Sequence, residues 1–180
     1  MSPFERWVLF LHKWEGKTFV NDPDDTGKET NWGITIRTWN QFAARNGWPF
    51  GVPGLKAGMN EDRFRTVAKS VWKTAKADNV ADPGVAVALA DYAWHGGRFT
   101  NGLPTTFQLN EMDACDAFCL VMNNRMAHLQ SLSNWWKYGD GWTNRLNDLV
   151  ATFAPDTPSS TEKKSLYASR LQWPDSSLSA

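Results

Sequence analysis

The sequence predicts a mainly α fold, and three features carry that prediction. Apolar residues recur every three or four positions through most of the chain, as on the buried face of a helix. The first helix start is marked by a capping side chain followed by proline, Ser2-Pro3. No segment alternates convincingly between apolar and polar residues, apart from a short stretch at 30–36. We therefore expect helices around a single core, with a small β-hairpin near residues 18–35.

Caps and chain breakers place each element in turn. Gly16 ends the first helix, and Thr35 caps the second. Asn60 and Asp82 cap the third and the fourth. Residues 46–59 are rich in glycine and proline and are predicted to form a loop. The predicted helices cover 3–14, 36–45, 61–77, 84–94, 112–132 and 143–153, with a short one over 163–171.

The composition argues against several classes of function. The 19 basic residues balance the 19 acidic ones, and no basic run is interleaved with aromatics, so a nucleic-acid partner is not expected. No stretch approaches the roughly 18 apolar residues of a membrane span. The N-terminal segment lacks a basic leader and a cleavage site, so we expect a protein made in the cytoplasm without a signal peptide. The histidines and cysteines lack metal-ligand spacing, and no metal or cofactor is expected.

One stretch between the first two helices, WEGKTFVNDPDDTGKETNWGIT (14–35), is rich in groups suited to acid–base chemistry. Glu15 ends a helix beside Trp14, and apolar neighbours favour the protonated carboxyl that a general acid needs. Asp24 and Asp25 follow in a polar loop where a carboxylate stays ionised, and the Thr30 hydroxyl could hold a water. This combination is typical of a glycosidase. The same residues would also serve as an ordinary helix end and as turn formers.

The order of residues in this stretch resembles the signature of the glycoside hydrolase family 108 muramidases, also known as secretion activators. Their E-G-G motif is followed by N-D-P-x-D-P-G-G-x-T-N-x-G-I-T. The resemblance implies a lysozyme-like helical fold, and it transfers the role of catalytic acid to Glu15. The loop aspartate falls on Asp25, and the Thr-Asn pair falls on Thr30 and Asn31. The spacing of phage-type lysozymes would instead select Asp24, so the choice between the two aspartates stays open.

The chain departs from the signature at Lys17, where the family has its second glycine, and at 25–28, where D-P-G-G has become D-T-G-K. Further along, DYAWHGG (91–97) resembles the family segment D-x-A-x-N-x-G, with His95 in place of the asparagine. The resemblance therefore implies a muramidase catalytic lobe over 1–98. A C-terminal helical region, 99–180, is expected to pack on it.

Other side chains are candidates for holding substrate. Trp32 could stack on a sugar ring or close the loop onto the core, and we weigh the two equally. Asp91 lies in a largely apolar helix and must find a partner, for which Arg145 and Thr30 are the candidates. An aromatic run at 135–138 is either a glycan platform or, as we prefer, packing over Trp142. The predicted substrate-binding set is Asp24, Asn31, Trp32, Asp91 and Tyr92.

The resemblance also implies a function. It predicts cleavage of the β-1,4 bond between N-acetylmuramic acid and N-acetylglucosamine, with peptidoglycan glycan strands as the partner. Phage endolysins and secretion-linked muramidases reach the wall through a holin or an export partner, so the periplasm or the exterior is the expected place of action and a prophage-like origin is expected. The main alternative is a non-catalytic peptidoglycan-binding or secretion-accessory protein on the same scaffold. A structural protein of a phage particle is a third reading.

Overall fold

The structure, a computed structural model, describes residues 1–22, 28–96, 103–156, 167 and 169–171. Within these residues the fold is mainly α, as predicted, with one small antiparallel sheet. The strands are β1 (Phe19–Asn21), β2 (Glu29–Asn31) and β3 (Ile34–Thr35). The helices are α1 (Pro3–Glu15), α2 (Ile36–Asn46), α3 (Gly51–Gly58), α4 (Glu61–Thr74), α5 (Pro83–Trp94), α6 (Thr106–Asn110), α7 (Ala114–Gln130) and α8 (Trp135–Phe153).

The chain forms two compact units, Met1–Ser70 and Val71–Ala180, and the boundary between them falls within α4. The division of function predicted from the sequence, 1–98 and 99–180, stays a prediction. None of the helices in the described part of the chain has the length and apolar character that crossing a membrane requires.

In the first unit, α1 begins and ends where the sequence predicts. The Ser2 side chain accepts a hydrogen bond of 3.2 Å from the Glu5 backbone N–H, and a proline occupies the first helical turn. The helix ends at Glu15 because Gly16 adopts a φ of 66°, which halts the helical backbone. Its apolar face is buried through Trp7, Val8, Phe10 and Leu11.

The predicted hairpin is present, and a third strand adds to it. The sheet order is β1-β2-β3, with Thr30 paired to Val20 on one side and to Thr35 on the other. Trp32 and Gly33 form the two-residue turn between β2 and β3, and both have positive φ values, 52° and 72°. Two positive φ values are typical of the turns whose twist matches a tight hairpin. Thr35 then caps α2, as predicted, by accepting from the Thr38 N–H at 3.2 Å.

The prediction of a loop over 46–59 is wrong, because α3 occupies Gly51–Gly58. Gly54 is required by packing, not by a turn. A Cβ at this position would lie 2.2 Å from the Pro49 carbonyl oxygen, so only glycine permits the approach. Pro53 lies in the first turn of the helix, where its missing N–H costs no hydrogen bond.

In the second unit, α5 is the central helix and packs against α7 and α8. Every residue from Gly84 to Tyr92 is buried, as the largely apolar sequence of this helix predicts. The Asp82 side chain caps it by accepting from the backbone N–H groups of Gly84 and Val85, at 2.8 and 2.9 Å.

The second unit also departs from the predicted boundaries. The last long helix, α8, begins at Trp135 and not at Thr143, and it includes Gly139, where a Cβ would lie 2.8 Å from the Trp135 ring. The helix α6 was not predicted; its start is a reciprocal cap between Thr105 and Gln108. The helix predicted over 61–77 is α4, which ends at Thr74, and a 3₁₀ turn follows at Ala77–Asn79. Most of the predicted helix over 163–171 lies outside the described residues.

Candidate active site

The predicted acid, Glu15, is the last residue of α1 and is half-buried. The helix holds its Cα, and the chain turns away immediately afterwards at Gly16. The carboxyl group is therefore attached to a rigid element at the start of the segment that resembles the family signature. This placement suits a group that must deliver a proton to a fixed point.

The backbone of the β2–β3 turn lies directly against the Glu15 carboxyl group. A Cβ placed on Gly33 would be 2.3 Å from Oε2 of Glu15 and 2.7 Å from its Cγ. A side chain would fit there only if the Glu15 carboxyl group moved, and the φ of 72° at Gly33 independently favours glycine. The turn therefore shields one side of the carboxyl group from water. The same contact explains sterically why the signature N-x-G-I-T has glycine at this position.

The two residues of the predicted Thr-Asn pair point to opposite faces of the sheet, because side chains alternate along a strand. Thr30 is half-buried at the centre of the three strands. Asn31 is only 5% exposed, and its Nδ2 donates to the carbonyls of Leu55, at 3.0 Å, and Lys56, at 3.4 Å. Asn31 thus ties β2 to α3. Its predicted contact with substrate stays a prediction, as does the water-placing role of Thr30.

The predicted loop carboxylates, Asp24 and Asp25, lie outside the described residues. The choice between them therefore stays open. Described residues do flank the loop on both sides, since β1 ends at Asn21 and β2 begins at Glu29.

The indole of Trp32 contacts two aromatic rings and one ammonium group. It meets the His12 ring edge-on at 5.6 Å between centroids and lies 5.8 Å from the Phe64 ring. The ammonium of Lys17 lies 4.6 Å from the Trp32 ring centroid, within the range of a cation–π contact. Trp32 therefore packs against the core, which is one of the two roles predicted for it. A sugar ring could stack on the indole only beside Lys17 or after Lys17 moves away.

Sequence reasoning missed a polar cluster beside Trp32, centred on Glu61. Its carboxylate accepts from Arg65 Nε at 2.9 Å and from His12 Nε2 at 3.0 Å, and Lys17 Nζ is 3.5 Å away. Burial alone would raise the pKa of Glu61, but the hydrogen bonds from His12 and Arg65 and the charge of Lys17 outweigh it and lower the pKa. The sequence shows Glu61 only as the first residue of a capped helix.

The family model described as Glycosyl hydrolase 108 matches residues 8–97, half of the 180-residue chain. The chain belongs to glycosyl hydrolase family 108. The match includes Glu15, the turn at Gly33 and, in the second unit, Asp91 and His95. This confirms the resemblance inferred from the sequence, and the family indicates a glycosidase.

A solved structure supports the fold of this family 108 chain. The chain is similar to the solved structure titled "Structure of Brucella abortus SagA", with a TM-score of 0.69 and 23% sequence identity. The match covers 87% of this chain and 98% of that chain. At this identity the likeness concerns the fold. A search of the curated proteins gave no match.

The second unit of the family 108 chain contains a fully buried ionic cluster around Asp91. Arg145, one of the two predicted partners, donates to both carboxylate oxygens, at 2.8 Å from Nη2 and 3.3 Å from Nε. Arg125, which was not predicted, forms a second ion pair with the same carboxylate. Burial alone would raise the pKa of Asp91, but the charges of Arg125 and Arg145 reverse the effect and hold the pKa well below its usual range.

His95, the residue that replaces an asparagine of the signature, joins this cluster. Its Nδ1 lies 3.0 Å from Nη2 of Arg125, and a guanidinium can only donate. Nδ1 therefore accepts, and the ring proton belongs on Nε2. Burial, followed by the charges of Arg145 and Arg125, lowers the pKa of His95 well below its ordinary value, so the ring is neutral.

Three further predictions fall in the second unit. Asp91 and Tyr92 are 0% and 2% exposed, and Tyr92 lies edge-on to His128, with centroids 5.7 Å apart. Both side chains are therefore committed to packing, and their predicted contact with substrate stays a prediction. Packing of the aromatic run on Trp142 is present: Trp142 lies 6.0 Å from Trp135 and 5.7 Å from Tyr138.

Among the described residues, no group of three His, Cys, Asp or Glu side chains could hold a metal ion.

Proposed function

We propose that this family 108 chain is a peptidoglycan hydrolase that cleaves the β-1,4 bond between N-acetylmuramic acid and N-acetylglucosamine. The observation that carries the proposal is the Glu15 carboxyl group, which is held at a helix end beneath the Gly33 backbone. It lies within the segment that the family model matches. A substrate of this kind would require the protein to act outside the cytoplasmic membrane.

In the proposed mechanism, Glu15 protonates the glycosidic oxygen of the leaving sugar. Asp25, or Asp24 in its place, supplies the second carboxylate, which stabilises the oxocarbenium-like transition state or activates a water. Thr30 helps to place that water. The distance between the two carboxyl groups decides whether the anomeric configuration is retained or inverted.

The decisive experiment measures release of reducing ends from purified peptidoglycan. Glu15→Gln keeps the shape of the side chain but removes its acid function. We expect a loss of about 100-fold or more, in line with the usual contribution of general acid catalysis. The control is Glu111→Gln, since Glu111 is an exposed glutamate of the second unit, directly after α6. It should keep activity within about twofold, because surface substitutions away from a site are usually near neutral.

Full activity in a folded Glu15→Gln protein would exclude Glu15 as the acid. A protein that binds insoluble wall without releasing reducing ends, in wild-type form, would instead favour the accessory reading. The order of activity loss in Asp24→Ala and Asp25→Ala would identify the second carboxylate.

A further inference from the structure

The cluster at Glu61 joins residues that are remote in sequence but belong to the same unit. Three cationic or hydrogen-bonding side chains converge on its carboxylate, and they come from α1, from the segment after α1 and from α4. Arg65 also holds both carboxylate oxygens of Glu5 at 2.9 Å. The three side chains on Glu61 are His12 at 3.0 Å, Lys17 at 3.5 Å and Arg65 at 2.9 Å.

Two of these three partners also contact Trp32. The His12 ring and the indole are nearly perpendicular, and Lys17 places its ammonium over the indole ring. The His12 ring is itself stacked on Phe64, at 4.4 Å between centroids and 26° between planes. Glu61 therefore holds His12 and Lys17, the two side chains that also contact the Trp32 ring.

Trp32 needs such support because its backbone is strained. A φ of 52° is uncommon for a residue other than glycine, and it persists only where surrounding contacts over-determine it. The next residue is Gly33, whose backbone lies against the Glu15 carboxyl group. Any relaxation at Trp32 therefore shifts the surface that covers Glu15.

We infer that Glu61 is a positioning residue, which acts through His12 and Lys17 to hold the Trp32–Gly33 turn against the Glu15 carboxyl group. This role rests on the proposed function of Glu15. It also gives Lys17, where the chain departs from the family signature, a specific task in this protein.

The Glu61 side chain is 42% exposed, so its ion pairs add little to overall stability. A small displacement of a reacting group can nevertheless lower the rate of a reaction greatly. The inference therefore predicts a loss of catalytic rate without a matching loss of fold. That separation distinguishes a positioning role from a merely structural one.

The test compares Glu61→Gln with Glu5→Gln. Both variants break an ion pair with Arg65, but only Glu61→Gln affects the residues that contact Trp32. We expect Glu61→Gln to lower kcat on peptidoglycan about tenfold with KM changed less than about twofold, because a transition-state interaction is lost. Glu5→Gln should leave both constants within about twofold of wild type.

Amide hydrogen exchange supplies a second readout that needs no activity. The Trp32 N–H donates to the Thr18 carbonyl at 3.4 Å, and loosening of the turn would expose it. Exchange in the peptide covering 28–36 should be faster in Glu61→Gln and unchanged in Glu5→Gln. Equal exchange in both variants, or wild-type exchange in Glu61→Gln, would overturn the inference. Full activity in Glu15→Gln would defeat the proposed function alone, and the exchange result would still decide the role of Glu61.

Discussion

In the described part of each unit, a carboxylate pairs with two cationic side chains, and the two clusters differ in depth. Asp91 is 0% exposed and pairs with Arg125 and Arg145, which are 0% and 4% exposed. The Glu61 side chain is 42% exposed, and Lys17, one of its partners, is 55% exposed. The chemistry is similar, but the cluster around Asp91 is buried and the cluster around Glu61 is partly exposed to water.

Depth decides what each cluster can do. Burying two guanidinium groups without a counter-charge would cost much free energy. The folded state therefore depends on the ion pairs of Asp91. Water and salt screen the charges around Glu61, and its contacts can be lost at little cost to stability. The buried cluster is therefore suited to specifying the fold, and the shallow one to adjusting the geometry beside Glu15.

The largest effect is expected from breaking the buried cluster. Asp91→Asn preserves the shape of the side chain but leaves Arg125 and Arg145 facing a neutral group. Breaking a buried pair in this way typically costs about 3–5 kcal/mol. Glu61→Gln, the corresponding change in the shallow cluster, should cost less than about 1 kcal/mol. Urea unfolding followed by tryptophan fluorescence measures both, and equal costs would remove the distinction between the clusters.

The second prediction concerns Gly33. This residue belongs to the unit with the partly exposed cluster, and its backbone lies against the Glu15 carboxyl group. In Gly33→Ala the new methyl group meets the Glu15 carboxyl group, and that flexible side chain must rotate away. We expect about a 30-fold loss of kcat/KM on peptidoglycan, which corresponds to about 2 kcal/mol of transition-state stabilisation.

Gly47→Ala is the matched control for Gly33→Ala. Gly47 has a φ of 66°, similar to the 72° of Gly33, but a Cβ there would meet nothing within 4 Å. Both variants carry the backbone strain of a left-handed residue, about 1–2 kcal/mol of stability, so their unfolding free energies should fall alike. Activity should fall only in Gly33→Ala; a similar loss in both variants would mean that backbone strain, and not the contact with Glu15, is responsible.

Local signals in the sequence predicted most of the elements that have local causes. The caps at Ser2, Thr35 and Asp82 and the apolar periodicity behind them place α1, α2 and α5 correctly. Two errors, at α3 and at the start of α8, involve glycines with a close neighbour, whereas α6 was missed although its Thr105–Gln108 cap is local. Gly54 admits the Pro49 carbonyl, and Gly139 admits the Trp135 ring, and neither contact can be distinguished from a helix breaker in the sequence alone.

The same division holds for the candidate site. Glu15 and its motif are contiguous, so the sequence could single them out, and the buried Asp91 demanded a cation that Arg145 supplies. The bond between His12 and Glu61 joins residues 49 positions apart, and no spacing rule connects them. Such contacts depend on how helices pack, which is why the residues that hold Trp32 could be found only in the fold.

The smallest predicted effect is a difference in pH dependence between the two clusters. A carboxylate whose pKa is lowered on folding contributes stability above its unfolded value, about 4.5 for Glu61, and loses it as the pH falls through the folded value. The difference in Tm between wild type and Glu61→Gln should therefore be small at about pH 6 and shrink further towards about pH 3. The pKa of Asp91 is lowered much further, so the deficit of Asp91→Asn should persist to lower pH. Thermal unfolding of the three proteins across this range measures both trends. A Glu61→Gln difference that is constant with pH would mean that the shallow cluster stabilises the chain by its shape and not by its charge.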